Sequence, residues 1–290
     1  MTLRLLAVHA HPDDESSKGA GTYARYVETG AEVTIVSCTG GERGDIQNDA
    51  LSEKAMADRD MAGLRRIEMA RAQAAVGFAH RWLGFQDSGL PENGEPIPPN
   101  CFADIPLEIS AEPLVKIIRE LRPQVLVTYD ENGGYPHPDH IRAHEISIYA
   151  MEAAADPERY PDAGAAWQIS KVYYDRIFNT ERMRAMYEHL VADEPDSPLI
   201  AQFEEMLGWF EDRPSVVTTH IDVADHLETR DRALRAHSSQ VPPDSPFFFW
   251  PNDAQRIAWP FEDFELVTSL VDAPTPETDL FAGIIDEGTP

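Results

Sequence analysis

Two short apolar runs flanking a helical stretch constrain this chain more than any other feature: Leu3 to Ala10 and Glu32 to Cys38, with the glycine-containing segment Ser17 to Glu28 between them. Runs of that length joined through a helix make a βαβ unit. The alternation continues more loosely. A helical pattern over Asp60 to Val76 precedes the strand-like Arg81 to Leu83, and another over Ala111 to Leu121 precedes Gln124 to Tyr129. Pro138 to Ala155 reads as a long helix with Pro138 in its first turn, where a missing N–H costs little. Ile169 to Tyr174 and Ser215 to Ile221 read as later strands with a helical segment between them, and Leu90 to Asn100, Ala153 to Ala165 and Pro242 to Asp253 read as loops. The expected fold class is α/β: a mostly parallel, doubly wound, Rossmann-like sheet with helices on both faces. One catalytic domain spanning residues 1–290 is expected, its C-terminal part from about residue 165 adding strands and helices around a substrate pocket.

Composition narrows the function classes. With 42% hydrophobic and 26% charged residues the chain can bury an ordinary core. A formal charge of −27 argues against nucleic acid, which requires a concentrated basic surface. No apolar run approaches the roughly 18 residues that a membrane span needs, and the opening MTLRLLAVHA enters a strand pattern without a signal-peptide profile, so a cytoplasmic location is expected. Cys38 and Cys101 have neither the number nor the spacing of a disulfide framework and read as structural thiols. These features favour a small-molecule substrate and imply no nucleic-acid, membrane or protein partner.

The chemistry gathers in two strings, each placed where an apolar strand should end. The first is His9-Ala10-His11-Pro12-Asp13-Asp14-Glu15. Ligands of open α/β sheets bind beyond the carboxyl ends of the strands. Imidazole and carboxylate suit zinc, and a histidine followed by adjacent aspartates offers one carboxylate for a metal and leaves one free; the spacing leaves open which aspartate does which. Alone, the string also reads as an acidic turn capping the next helix, since Asp is a favoured N-cap. The second string, Tyr129-Asp130-Glu131-Asn132-Gly133-Gly134-Tyr135-Pro136-His137-Pro138-Asp139-His140, favours the metal reading. In a doubly wound order the two strand ends meet at the switch point, bringing His11 and His140 together beside a carboxylate. Three ligands leave a position for water, whose pKa such an ion lowers toward roughly 7. Tyr135 is placed to donate to an oxyanion, His137 to protonate a leaving amine and Asp139 to orient an imidazole. Gly133 and Gly134 let the loop turn tightly. His144, one helical turn after His140, reads as packing or support for the site and not as a ligand.

These residues resemble the PIG-L/LmbE-like zinc deacetylases, which remove N-acyl groups from glucosamine-containing compounds. The match rests on AHPDDE at 10–15 and HPDH at 137–140, and through TGGERGD, WLGFQDSGLP, YDENGGYPHPDHIRAHE, LRAHSSQ and PETDLFAGI it extends from residue 9 to about residue 284. The resemblance implies an LmbE-like fold in which His11, Asp14 and His140 hold zinc. It also implies Asp13 as general base, Tyr135 polarising the scissile carbonyl and His137 as general acid. Two histidines and a carboxylate are equally a ligand set for Fe(II). Within the family the blocks look most like the actinobacterial branch that detoxifies mycothiol S-conjugates. That branch cleaves the amide between glucosaminyl-inositol and an S-substituted N-acetylcysteine to release a mercapturic acid.

By the same resemblance Asp45, Arg65 and Asp87 contact sugar or inositol hydroxyls, for which carboxylates and a guanidinium are suitable partners. Arg65 also stands one turn from Glu68, and the QDSG around Asp87 is a turn-capping sequence. Lys18 stands where the sibling deacetylases lack a lysine and is read as reaching the cysteinyl side of the conjugate. His237 and Gln240, in RAHSSQ, are expected behind the site or at the pocket rim. Other readings are a deacetylase acting on the N-acetylglucosaminyl-inositol precursor, an amidase acting on mycothiol adducts in antibiotic biosynthesis, and a sugar-binding module without catalysis. The last leaves Asp13, a base and not a ligand, without a purpose.

Overall fold

The computed structural model describes residues 2–91, 95–209 and 214–284. Its strands are β1 (Arg4–His9), β2 (Glu32–Thr39), β3 (Ala79–Phe85), β4 (Val125–Thr128), β5 (Lys171–Asp175), β6 (Thr219–Asp222) and β7 (Phe261–Ser269). The helices are α1 (Asp14–Lys18), α2 (Ala20–Glu28), α3 (Lys54–Ala57), α4 (Met61–Val76), α5 (Leu107–Leu121), α6 (Pro138–Ala155), α7 (Thr180–Asp193), α8 (Leu199–Trp209), α9 (Leu227–Ala236) and α10 (Asn252–Ala258).

One seven-stranded sheet runs β3-β2-β1-β4-β5-β7-β6. The first five strands are parallel, and β7 lies antiparallel to both β5 and β6. The α/β, mostly parallel fold is therefore as the sequence led us to expect. The apolar runs alternate between two cores because successive strand side chains point to opposite faces. Leu5, Ala7, Val33, Ile35, Val125 and Val127 pack under α2, α4 and α9, while Leu6, Val8, Val36 and Leu126 pack under α5 and α6. Each such buried Val, Leu or Ile contributes about 1.5–3 kcal/mol, so a one-residue slip of the central strands would be heavily penalised. The resulting register pairs Leu5 with Val125 and Ala7 with Val127. The carboxyl ends of β1 and β4 are thereby neighbours, at the point where strand order reverses.

Several local expectations are corrected. The helix expected over Ser17 to Glu28 begins earlier, at Asp14, and is broken at Gly19 into α1 and α2. The strand expected over Ser215 to Ile221 instead runs from Thr219 to Asp222, where it pairs with Phe261 to Phe264 of β7. Strand β7 itself was not anticipated. Its pattern FEDFELVTS carries acidic residues at positions that are nonetheless buried: Glu262 accepts from the backbone N–H of Gly21 and Thr22, and Asp263 from Asn179 and Trp259. The loop expected over Pro242 to Asp253 runs into α10 at Asn252. Of the loop expected over Leu90 to Asn100, residues 92–94 lie outside the described residues, as do residues 210–213 of the helical segment before β6 and residues 285–290 of the expected domain.

Helices α7, α8 and α10 close around a separate apolar cluster that includes Met183, Met186, Phe203 and Trp250. Both cysteines are buried and unpaired. Among the described residues no helix is long and apolar enough to cross a membrane.

Candidate active site

The ends of β1 and β4 deliver His11, Asp14 and His140 to one point, where their ligand atoms lie within 4.8 Å of one another. Each histidine is held so that one nitrogen is free. His140 Nδ1 donates to the Gly133 carbonyl oxygen at 3.0 Å, leaving its buried Nε2 without a partner among the described residues and 3.5 Å from Asp14 Oδ2. His11 Nε2 donates to Asp139 Oδ2 at 3.3 Å, which turns Nδ1 toward Asp14 Oδ2, 3.7 Å away. Orienting a ligand imidazole through its other nitrogen is the usual arrangement around a protein-bound metal. Gly133 makes this possible by adopting φ +72 so close to His140 that an added Cβ would lie 2.6 Å from the His140 Cβ.

The electrostatics suit a cation. Burial alone would raise the Asp14 pKa, but Lys18, His140 and His11 hold it well below the usual carboxylate range. Burial pushes His140 down to about 3, a neutral donor. Burial also acts downward on His11, yet Asp139 and Asp87 outweigh it and raise that ring to about 10. The negative charge assembled around His11 is what a bound cation would neutralise. His11, His137 and Asp139 form a second close group. Carboxylate oxygens in both groups accept hydrogen bonds, but only the first group contains a buried nitrogen, His140 Nε2, without a partner among the described residues, so the second is the weaker candidate.

Asp13 stands beside this centre in a backbone conformation that non-glycine residues rarely adopt, with φ 120. Such strain costs on the order of 1–3 kcal/mol and persists only where neighbours enforce it. Here they do. The Asp13 N–H donates to Glu15 Oε2 at 2.9 Å, and Glu15 Oε1 in turn accepts from His237 Nε2 at 2.7 Å. Arg65 clamps the other side, pairing with Asp13 Oδ2 at 3.0 Å and donating to the carbonyl oxygens of Pro12 and Gly41. Burial raises the Asp13 pKa against the opposing pull of Arg65, which moves the carboxylate toward the range of a working base.

A cavity of about 830 Å3 opens over these residues. Tyr135, 48% exposed, lines it with its ring edge-on to His140 at 4.6 Å between centroids. His137 caps α6: its Nδ1 accepts from the Asp139 N–H at 3.1 Å, so the neutral ring carries its proton on Nε2. Burial and the neighbouring His11 both lower its pKa.

The remaining expected residues fall into two groups. Asp45, Arg65, Asp87 and Gln240 line the cavity. Gln240 Nε2 donates to the Asp45 carbonyl oxygen at 3.1 Å. Asp87 is already engaged with the N–H groups of Arg43 and Gly89, and its Oδ1 stands 3.7 Å from His11 Nε2. Lys18 also lines the cavity, but its Nζ donates to Asp14 Oδ1 at 2.6 Å. Away from the centre, His144 Nδ1 donates to the Tyr129 carbonyl oxygen and the ring packs on Tyr174. Arg65 does not pair with Glu68, which instead accepts from Ser238 and Ser239.

Sequence reasoning passed over four contributors. Tyr129 donates to Asp14 Oδ2 at 2.8 Å and accepts from the Ala10 N–H. Glu15 holds the Asp13 N–H, Ser88 holds Asp139, and Asp175 lines the cavity. For Tyr129 and Glu15 the available signal was adjacency to a strand end; for Asp175 it was the same position after β5.

Comparison with known proteins bears on this geometry. Residues 6–151 match the PIG-L family model, described as GlcNAc-PI de-N-acetylase. A mycothiol S-conjugate amidase of Streptomyces coelicolor is 49% identical over 98% of each chain. A 1D-myo-inositol 2-acetamido-2-deoxy-alpha-D-glucopyranoside deacetylase of a Nocardioides species is 39% identical over 97% of this chain and 98% of that one. The fold is similar to that of the N,N'-diacetylchitobiose deacetylase of Pyrococcus horikoshii, with a TM-score of 0.60 at 19% identity over 91% of this chain and 83% of the other.

Proposed function

Because the chain belongs to the PIG-L family and is an amide hydrolase acting on a small molecule, we propose that it is a zinc-dependent amidase of mycothiol S-conjugates. The reaction would cleave the amide between glucosaminyl-inositol and an S-substituted N-acetylcysteine. The observation that carries the hydrolytic centre is the buried, unpartnered Nε2 of His140 beside Asp14 and His11. His11 Nδ1, Asp14 and His140 Nε2 would hold the ion, which when bound supplies a water acidic enough to ionise near neutral pH.

The chain's own residues supply the remaining steps. Asp13, held by Glu15 and Arg65 in a fixed and strained conformation, takes the proton of the attacking water. Tyr135 donates to the carbonyl oxygen as negative charge develops on it, at the mouth of the cavity. His137 delivers a proton to the departing amine. Burial and the neighbouring positive charge at His11 both lower its pKa, which makes the protonated ring a ready proton donor. Asp45 and Asp87, after β2 and β3, and Arg65, from α4, line one side of the cavity and would receive the polyol there.

Two observations favour a conjugate over the acetylated precursor. The relative bearing the amidase name is 49% identical, against 39% for the deacetylase of the Nocardioides species. The cavity also extends past the centre along Ile177, Phe178, Val216, Val217, Phe247 and Phe248, an apolar wall suited to a thiol substituent and superfluous for acetate. Zinc is our reading of the ion. The same donors suit Fe(II), and metal analysis of the purified chain separates the two.

The test is hydrolysis of a bulky mycothiol S-conjugate and of the acetylated glucosaminyl-inositol by chelator-stripped protein, with and without zinc. Faster, zinc-restored cleavage of the conjugate is expected. Preference for the acetylated compound would make this chain a deacetylase of that precursor.

A further inference from the structure

Asp175 ends β5 on the far side of the centre from the polyol wall. Along the sheet, β3 and β2 lead to Asp87 and Asp45, β1 and β4 lead to the metal ligands and Tyr135, and β5 leads to Asp175. Asp175 lines the cavity, is 9% exposed, and its Oδ2 is buried without a hydrogen-bond partner among the described residues. Neighbouring cations do not serve it. Arg176 is bound to Asp130 and Glu265, and Lys18 Nζ is bound to Asp14. A buried acceptor without a donor is costly, and native proteins retain few of them unless a ligand or water supplies the missing group.

We propose that Asp175 is a specificity-determining residue on the acyl side of the scissile amide, accepting the N–H of an N-acylated amino-acid residue. This rests on the amidase reading. If the polyol occupies the wall formed beyond β2 and β3, the acyl group must extend toward β5 and the apolar wall that begins at Ile177. An N-acetylcysteinyl group presents an amide N–H there within a few bonds of the scissile carbonyl; an acetyl group presents only a methyl. A carboxylate is the right partner for the first and has nothing to bind in the second. Consistently, burial pushes the Asp175 pKa up to about 7, with Lys18 only partly opposing it.

Asp175→Ala and Asp175→Asn are compared with wild type on two substrates sharing one amine: the S-substituted N-acetylcysteinyl amide of glucosaminyl-inositol and its simple acetyl amide. Asp175→Ala should lower kcat/KM on the cysteinyl amide about 10- to 100-fold, the worth of one hydrogen bond to a charged group. It should leave the acetyl amide and the zinc content at wild-type values, which also shows that the site is intact. Asp175→Asn keeps an acceptor oxygen and should recover part of the loss. Equal losses on both substrates, or no loss on the cysteinyl amide, overturn the assignment. A wild-type chain that cleaves only the acetyl amide overturns the amidase reading and this inference with it, an outcome visible before any substitution is made.

Discussion

Replacing Gly133 by alanine should damage the metal centre without touching any ligand. The residue sits at φ +72, where an L side chain costs about 1–2 kcal/mol. Its new Cβ would stand 2.6 Å from the His140 Cβ and 2.9 Å from the Tyr135 carbonyl oxygen, and relieving such an overlap costs about 1–3 kcal/mol more. Urea unfolding of the metal-free variant should therefore show a loss of about 2–5 kcal/mol. The movement that relieves the clash also disturbs the Gly133 carbonyl that fixes His140 Nδ1. Loss of such an orienting bond weakens metal binding about 10- to 100-fold, measurable by zinc competition against a chelator. Gly134→Ala is the control: its φ of +74 carries the same backbone cost, but an added Cβ meets nothing within 4 Å. If the two variants bind zinc equally well, the argument that Gly133 buttresses a ligand is wrong.

Other expectations follow from the same geometry. Asp13→Ala should keep its metal while kcat falls by roughly two to four orders of magnitude, the range of a lost general base; loss of metal by elemental analysis would show that the two aspartates are reversed. His140→Ala should lose zinc affinity outright, and retention of full metal content and activity would remove it from the ligand set. His220 donates to Asp263 at 2.7 Å, and that bond raises its pKa despite partial burial. Its contribution is therefore complete below the unfolded value of about 6.5 and is lost as pH rises through the folded value. Between pH 6 and 9, wild type should lose about 0.5–1 kcal/mol more stability than His220→Gln in urea unfolding, the bond being partly screened by solvent. Parallel pH profiles would show that the pair contributes nothing.

The fold class was legible because the central parts of β1, β2 and β4 are dominated by aliphatic residues, and burial on both faces of a parallel sheet accommodates such runs. The edge was not. In β7, Glu262 and Asp263 are buried with partners contributed from α2, Asn179 and Trp259, so its acidic residues mask a strand that hydrophobic pattern alone cannot reveal. The break at Gly19 was equally hidden, since the residues on both sides of it are compatible with one continuous helix.

At the centre the division is similar. The strings at 9–15 and 129–140 contain every donor a metal needs, and their place after apolar strands put them at the sheet's carboxyl edge. Sequence alone therefore supplied a candidate donor set, the parallel part of the sheet and the chemistry such donors support. Which atoms would face an ion was decided only by tertiary contacts: Gly133 and Asp139 each occupy one nitrogen of a histidine, leaving the other free. So too were the strained setting of Asp13, made by Arg65, Glu15 and a histidine more than two hundred residues away, and the partnerless carboxylate of Asp175. A side chain's type is written in the chain, but its free valence depends on which distant groups the fold brings against it.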